Sequence, residues 1–340
     1  MYKLTVKASK RYQITISNNL DDFASVVAKV AQGSKVAIIT DTNVDALYGN
    51  LLCEFLRDKT VCKYVVQAGE QSKSKEVYFE LLEKLCADGF ARTDTVIAFG
   101  GGVVGDLAGF VAATYMRGIN LVQVPTTILS AVDSSVGGKT AINLDSGKNL
   151  VGSFYQPSAV YVSTQFFGTL PQREVLSGMG EIIKYAFLSK SVTLPMIESG
   201  ASEQLVYECL KIKRDVVQKD EKESGARALL NLGHTVGHAI ESLSHYAYSH
   251  GECVVKGIAY ALKLSQKIYD IDQATCDKMQ RLLNSCGHDL TCPYSAEQLI
   301  DKISHDKKSD GSAIKFVAVK DVGKPQIVKI DYQKLQEYLC

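Results

Sequence analysis

The stretch Thr95–Phe110, TVIAFGGGVVGDLAGF, decides the fold. Thr95–Phe99 is a short run of apolar and β-branched residues, the pattern of a buried strand. Gly100, Gly101 and Gly102 follow at once, and Val103–Phe110 continues as a helix. Glycines let a chain turn tightly and approach a phosphate, and the helix behind the turn offers that phosphate free N–H groups and the positive end of its dipole. The order is not GxGxxG, and glycine at a strand end serves equally well as a plain turn.

The same alternation extends outward. KVAIITD (Lys35–Asp41) and VCKYVVQ (Val61–Gln67) read as strands, Lys73–Cys86 as a helix, and INLVQVP (Ile119–Pro125) as a further strand. Strands alternating with helices predict a parallel, doubly wound sheet: an α/β, Rossmann-like nucleotide-binding domain. Asp41, at the end of its strand, is placed to accept from a ribose hydroxyl, although an acid there also caps helices. The N-terminal MYKLTVKASKRYQITI alternates as a strand or hairpin and lacks the apolar centre of a signal peptide.

From about Pro171 to Ser304 the periodicity is helical, and Lys315–Val319 with Gln326–Ile330 reads as one hairpin. The chain of 340 residues is therefore expected to hold two domains, divided near Gln156–Pro157 into 1–157 and 158–340. The first is α/β and the second mostly α-helical, with the active site in the cleft between them. A net charge of +1, without charged tails, predicts no nucleic-acid partner, and no apolar run is long enough for a membrane span. The nine cysteines are scattered without a CxxC pair, which points to reduced thiols and a cytoplasmic location.

RALLNLGHTVGHAIE (Arg227–Glu241) concentrates the polar chemistry. Read as one helix, it puts Arg227, Asn231, His234 and His238 at i, i+4, i+7 and i+11, within about 60° of one face. Arg227 and His238 would then stand about 16 Å apart along the axis. His-x3-His on a helix suggests two zinc ligands, without the glutamate base of HExxH. A third histidine, in His250-Gly251-Glu252, opens another helix. Glu181, with Lys184 at i+3, lies on a third. A glutamate and imidazoles make a catalytic zinc set with an open position.

VPTTILSAVDSSVGGKTAIN (Val124–Asn143), GKNLVGSFYQP, SGMGEIIKYAF, NLGHTVGHAIE and HGE together resemble the 3-dehydroquinate synthase family of the shikimate pathway, within the sugar phosphate cyclases. The resemblance runs from about Asp41 to the Asp306-Lys307-Lys308 segment. It implies zinc, or cobalt or another divalent metal, on Glu181, His234 and His250, and it moves His238 from the metal to the substrate phosphate. It implies NAD along Asp41, Asn43, Glu70 and Lys73, along Gly101, Gly102, Val104 and Asp106, and along Thr126, Thr127, Asp133, Lys148 and Thr169. Lys139, Asn149, Asn231, His238 and Lys307 match the phosphate cluster. Lys213 and Arg227 match the pair that grips the substrate carboxylate. Lys184 and Asp133 match groups near the ring hydroxyls, Glu223 is a further polar site residue, and Arg117 matches an arginine reaching across a homodimer interface.

The implied substrate is 3-deoxy-D-arabino-heptulosonate 7-phosphate, a small molecule whose two anionic ends suit these cations. On the helical reading, its carboxylate lies toward Arg227 and its phosphate toward His238. The implied chemistry is redox-neutral: oxidation at C5 by NAD⁺, loss of phosphate, return of the hydride, ring opening and an intramolecular aldol closure to 3-dehydroquinate. The rivals are another sugar phosphate cyclase, such as an aminodehydroquinate synthase, an NAD- and metal-dependent polyol dehydrogenase, and a non-catalytic scaffold.

Overall fold

Seven of the strands in the N-terminal half share one sheet. The computed structural model describes residues 1–306 and 313–339. These fall into two units, Met1–Leu170 and Pro171 onward. In the first, β1 (Tyr2–Lys7) and β2 (Arg11–Ser17) form an antiparallel hairpin. There follow α1 (Phe23–Ala28), β3 (Lys35–Asp41), α2 (Thr42–Phe55), β4 (Thr60–Val66), α3 (Lys75–Ala87), β5 (Thr95–Gly100), α4 (Gly102–Thr114) and β6 (Asn120–Pro125). A second hairpin, β7 (Lys139–Leu144) with β8 (Gly147–Phe154), precedes β9 (Ala159–Ser163). The sheet order is β1-β2-β9-β6-β5-β3-β4, parallel throughout except for β1 against β2.

Period-2 alternation feeds two cores, one on each face of this sheet. Ala37, Ile39, Val96 and Ala98 pack with Leu81, Leu85, Leu107 and Val111 of α3 and α4. Val36, Ile38, Ile97 and Phe99 pack with Phe23, Val27 and Leu52 of α1 and α2. The central strands are buried on both sides, which is why their sequences read as continuous apolar runs.

The division expected at Gln156–Pro157 falls too early. β9 lies beyond it, yet pairs in parallel with β2 and β6 and completes the sheet, so the first unit continues to Leu170. The helix expected from Lys73 begins at Lys75, because the Ser74 side chain accepts from Val77 N and caps it.

The second unit contains α5 (Gln172–Leu188), α6 (Leu194–Glu198), α7 (Glu203–Lys219), α8 (His234–Leu243), α9 (His250–Tyr269), α10 (Gln273–Asn284) and α11 (Ala296–Asp306). It also has the expected hairpin, β10 (Ala313–Val319) with β11 (Pro325–Asp331), and then α12 (Tyr332–Leu339). No described helix is long and apolar enough to cross a membrane.

Arg227–Glu241 is not one helix. Ala226–Asn231 is a 3₁₀ segment, Gly233 turns at φ +79°, and α8 starts afresh at His234. A Cβ on Gly233 would lie 2.5 Å from the Val254 carbonyl oxygen, so the chain breaks where its backbone meets α9. The single face therefore does not exist, and the 16 Å read along it has no common helix axis to refer to.

α9 is the element on which the others meet. It packs on α8 and on α5, and a Cβ on Gly257 would sit 1.9 Å from the Gly233 carbonyl oxygen. Gly257→Ala is expected to lower unfolding stability by roughly 1–3 kcal/mol, the usual cost of overpacking. Gly168→Ala, where an added Cβ meets nothing within 4 Å, is expected to be near neutral. Denaturant melts decide it: equal midpoints for the two variants would contradict the packing argument.

Candidate functional site

Glu181 lies in α5, His234 opens α8 and His250 opens α9. A glycine stands next to each: Gly180, Gly233 and Gly251. A Cβ on Gly180 would lie 2.5 Å from the Gly251 carbonyl oxygen, and one on Gly251 would lie 1.9 Å from that of Ser177. These helices cross backbone against backbone, which only glycine permits. The close crossing lets three short side chains from three helices converge.

Glu181 Oε1 is 3.0 Å from His250 Nε2 and 3.4 Å from His234 Nε2. With metal–ligand bonds of about 2.0–2.1 Å, the edge of a tetrahedral site is about 3.3 Å, so this donor set fits a zinc-sized ion. Among the described residues, Glu181, His234 and His250 form one group of suitably placed donors, and His238, Glu241 and His250 form another. His238 is absent from the first, and its ring centroid is 5.3 Å from that of His234.

Electrostatics around Glu181 are balanced. Its Oε2 meets Lys184 Nζ at 2.5 Å, one helical turn away, with both side chains buried. Burial holds the His234 imidazole far below its ordinary value, at about 3, and Lys184, His250 and His238 add to this against the opposing pull of Glu181. His234 is thus neutral, as a ligand must be. Burial also opposes charge on His250, but hydrogen bonds to Glu181 and Glu241 outweigh it and raise the value to about 10.

Ahead of α8, Asp220 organises the turn that carries Glu223, Arg227 and Asn231. Its carboxylate accepts from the backbone N–H groups of Arg227 (2.9 Å), Gly225 (2.7 Å) and Ser224 (2.8 Å). These bonds, led by that of Arg227, hold its pKa well below the carboxylate range. Glu223 has φ +61° and accepts from Asn231 Nδ2 at 2.8 Å. Arg227 and Lys213 are buried at 2% and 4% exposure, on packed elements, and an Arg227 nitrogen donates to the Glu221 carbonyl. Lys307 lies outside the described residues.

In the first unit the glycine turn forms as expected. Gly101 precedes α4, Gly102 and Val104 fall in its first turn, and the buried Thr126 donates its N–H to Gly100 O at 3.0 Å. Lys73, 4% exposed, binds Asp106 Oδ2 at 2.7 Å and Asn149 Oδ1 at 2.5 Å. Asn143, not anticipated, ties this group together: its side chain donates to Glu70 (2.8 Å) and accepts from the Asn149 N–H (2.9 Å). Asp41 caps α2, accepting from Asn43 N and Val44 N. Thr169 shares a hydrogen bond with Tyr48 OH at 2.8 Å, Thr127 with Ser130, and Asp133 sits in a π-helical turn, Ser130–Ser134. Lys139 and Asn149 were expected to share one phosphate. They stand at opposite ends of the β7–β8 hairpin, Lys139 at its open end facing Phe154 and Asn149 near its turn, with Lys148 beside it.

Comparison with known proteins completes the picture. The family described as 3-dehydroquinate synthase N-terminal matches residues 63–177, and its C-terminal counterpart matches residues 178–309. A 3-dehydroquinate synthase of Thermoanaerobacter pseudethanolicus is 42% identical over 338 residues, covering 95% of this chain and 94% of the relative. A 2-deoxy-scyllo-inosose synthase, solved with carbaglucose-6-phosphate, NAD⁺ and Co²⁺, superposes with a TM-score of 0.90 at 26% identity, over 99% of each chain. A 2-epi-5-epi-valiolone synthase from Streptomyces hygroscopicus, solved with NAD⁺ and Zn²⁺, shares the fold at 21% identity and a TM-score of 0.86. Two family segments that meet end to end across both units, and a full-length relative at 42% identity, place the chain in the 3-dehydroquinate synthase family.

Proposed function

We propose that the chain converts 3-deoxy-D-arabino-heptulosonate 7-phosphate into 3-dehydroquinate and phosphate, a carbon–oxygen lyase step in aromatic amino acid biosynthesis. The observation that carries this reading is the convergence of Glu181, His234 and His250 in a chain of this family. When bound, NAD⁺ supplies a reversible hydride acceptor, and a divalent metal on these three residues supplies a Lewis acid for the reacting alcohol oxygen.

The chain's own residues position and neutralise. Gly101, Gly102 and the N–H groups at the start of α4 suit a dinucleotide pyrophosphate. Lys213 and Arg227, both buried, suit the substrate carboxylate, Arg227 through its planar fork. Lys184, fixed on Glu181, presents a buried ammonium beside the reacting hydroxyls. Glu223 holds the Asn231 amide so that it can donate to the substrate, with His238 alongside. The NAD contacts, Lys139 and Lys307 as phosphate ligands, and a cytoplasmic homodimer belong to the same proposal. Arg117 is its interface residue. It is exposed and, with Met116 and Gly118, forms three successive positive-φ residues, a costly backbone that supports a functional display.

A different cyclase activity is the second reading, favoured by the 0.90 TM-score to the inosose synthase. The buried Lys213–Arg227 pair and the higher identity to 3-dehydroquinate synthases weigh against it.

Three outcomes are expected. His250→Ala should lose stoichiometric zinc, read by metal analysis, and turnover, while its far-ultraviolet spectrum stays native; full zinc content would remove His250 from the set. With the heptulosonate phosphate and catalytic NAD⁺, phosphate and dehydroquinate should appear together over many turnovers per NAD⁺ with no growth in NADH absorbance. NADH rising in step with product would indicate a dehydrogenase. Arg227→Ala should weaken binding of the carboxylated substrate by about 1.5–3 kcal/mol, the worth of a charged hydrogen bond. It should barely affect an analogue without the carboxylate. Equal losses in calorimetry would reassign that end.

A further inference from the structure

We propose that Glu241 is the positioning residue for His250, fixing its tautomer and ring orientation for metal binding. The inference rests on the metal reading above. A neutral imidazole has one N–H and one lone pair. His250 turns Nε2 toward Glu181 Oε1 at 3.0 Å, into the donor set; a metal held there would take the Nε2 lone pair, which leaves the ring's one proton on Nδ1. Nδ1 lies 3.3 Å from Glu241 Oε2. An ionised carboxylate only accepts, so it selects the Nδ1–H tautomer and raises the basicity of Nε2. At the other imidazole, His234 Nδ1 stands 3.1 Å from the Leu232 carbonyl oxygen, a backbone group doing the same task.

The frame explains why Glu241 can reach. It follows His234 by seven residues in α8, within about 20° of the same helix face. Gly237, between them, lies so close to α9 that a Cβ would be 2.8 Å from the Cys253 carbonyl oxygen. The Ser249–Glu252 capping box already fixes the backbone at His250. Rotation of the imidazole is the freedom left, and Glu241 removes it. Glu241 also belongs to the second donor group with His238 and His250, so its rival role is that of a direct ligand for another ion.

Chelator competition with zinc on the full-length protein tests this, using Glu241→Ala and the near-isosteric Glu241→Gln. Wild type and both variants should hold one zinc per chain. The Ala variant should bind roughly tenfold to a hundredfold more weakly, as loss of an outer carboxylate does, and the Gln variant, which can still accept, by less. The metal-free variants should still unfold cooperatively as folded proteins, with no more loss than one partly buried ion pair accounts for. Wild-type affinity in the Ala variant would overturn the proposal. So would two zinc ions per wild-type chain with one lost in the variants, which would make Glu241 a ligand. A metal-free form unstable in both variants would assign Glu241 to the fold instead. If wild type bound no zinc, or His250→Ala kept it, the metal reading itself would fall and this inference with it.

Discussion

The close crossing of α9 over α5 and α8 is the constraint on which the second unit depends. Main chain meets main chain at Gly251 with Ser177, Gly180 with Gly251, and Gly257 with Gly233. Helices separated by ordinary side chains keep their axes about 8–10 Å apart. A glutamate and two histidines on such helices would need longer reach, and their rotamers would be less restricted. Here the glycine beside each donor removes that spacing. The helix breaks at Gly233 for the same reason, since the chain reverses against α9 and presents His234 from the first turn of a new helix.

Close packing carries an electrostatic cost that the site resolves locally. A buried carboxylate without compensation is strongly unfavourable. Glu181 has Lys184 on one oxygen and the two imidazole nitrogens by the other. The neutral His234 and the strongly basic His250 are two responses to one environment, separated by Glu241, whose second carboxylate favours charge on His250 alone. Asp220 plays the equivalent part for the turn before α8, spending its carboxylate on backbone N–H groups so that Arg227 and Asn231 are presented from a fixed loop.

Much of this was legible in the sequence because it is written in local patterns. The strand–glycine–helix of Thr95–Phe110 needs no distant partner to be read, and the buried strands announce themselves by apolar runs. The triad was legible as residue types in long motifs. What escaped was set by tertiary contact. β9 is five residues long and looks like linker until β2 and β6 pair with it. The Arg227–Glu241 periodicity mimics one helix, and only the approach of α9 breaks it. Glu241 stood in the quoted motif, but its partner is nine residues on in another helix. Asn143 becomes meaningful only once the β7–β8 turn brings Asn149 to it.

X-ray absorption at the zinc edge of the loaded protein tests most directly whether the glycine-packed helices build the metal centre. The account predicts two imidazole nitrogens and carboxylate oxygen at about 2.0–2.2 Å, with a remaining position for a light, exchangeable ligand. A sulfur shell at about 2.3 Å, drawn from any of the nine cysteines, or a spectrum without imidazole scattering would contradict it.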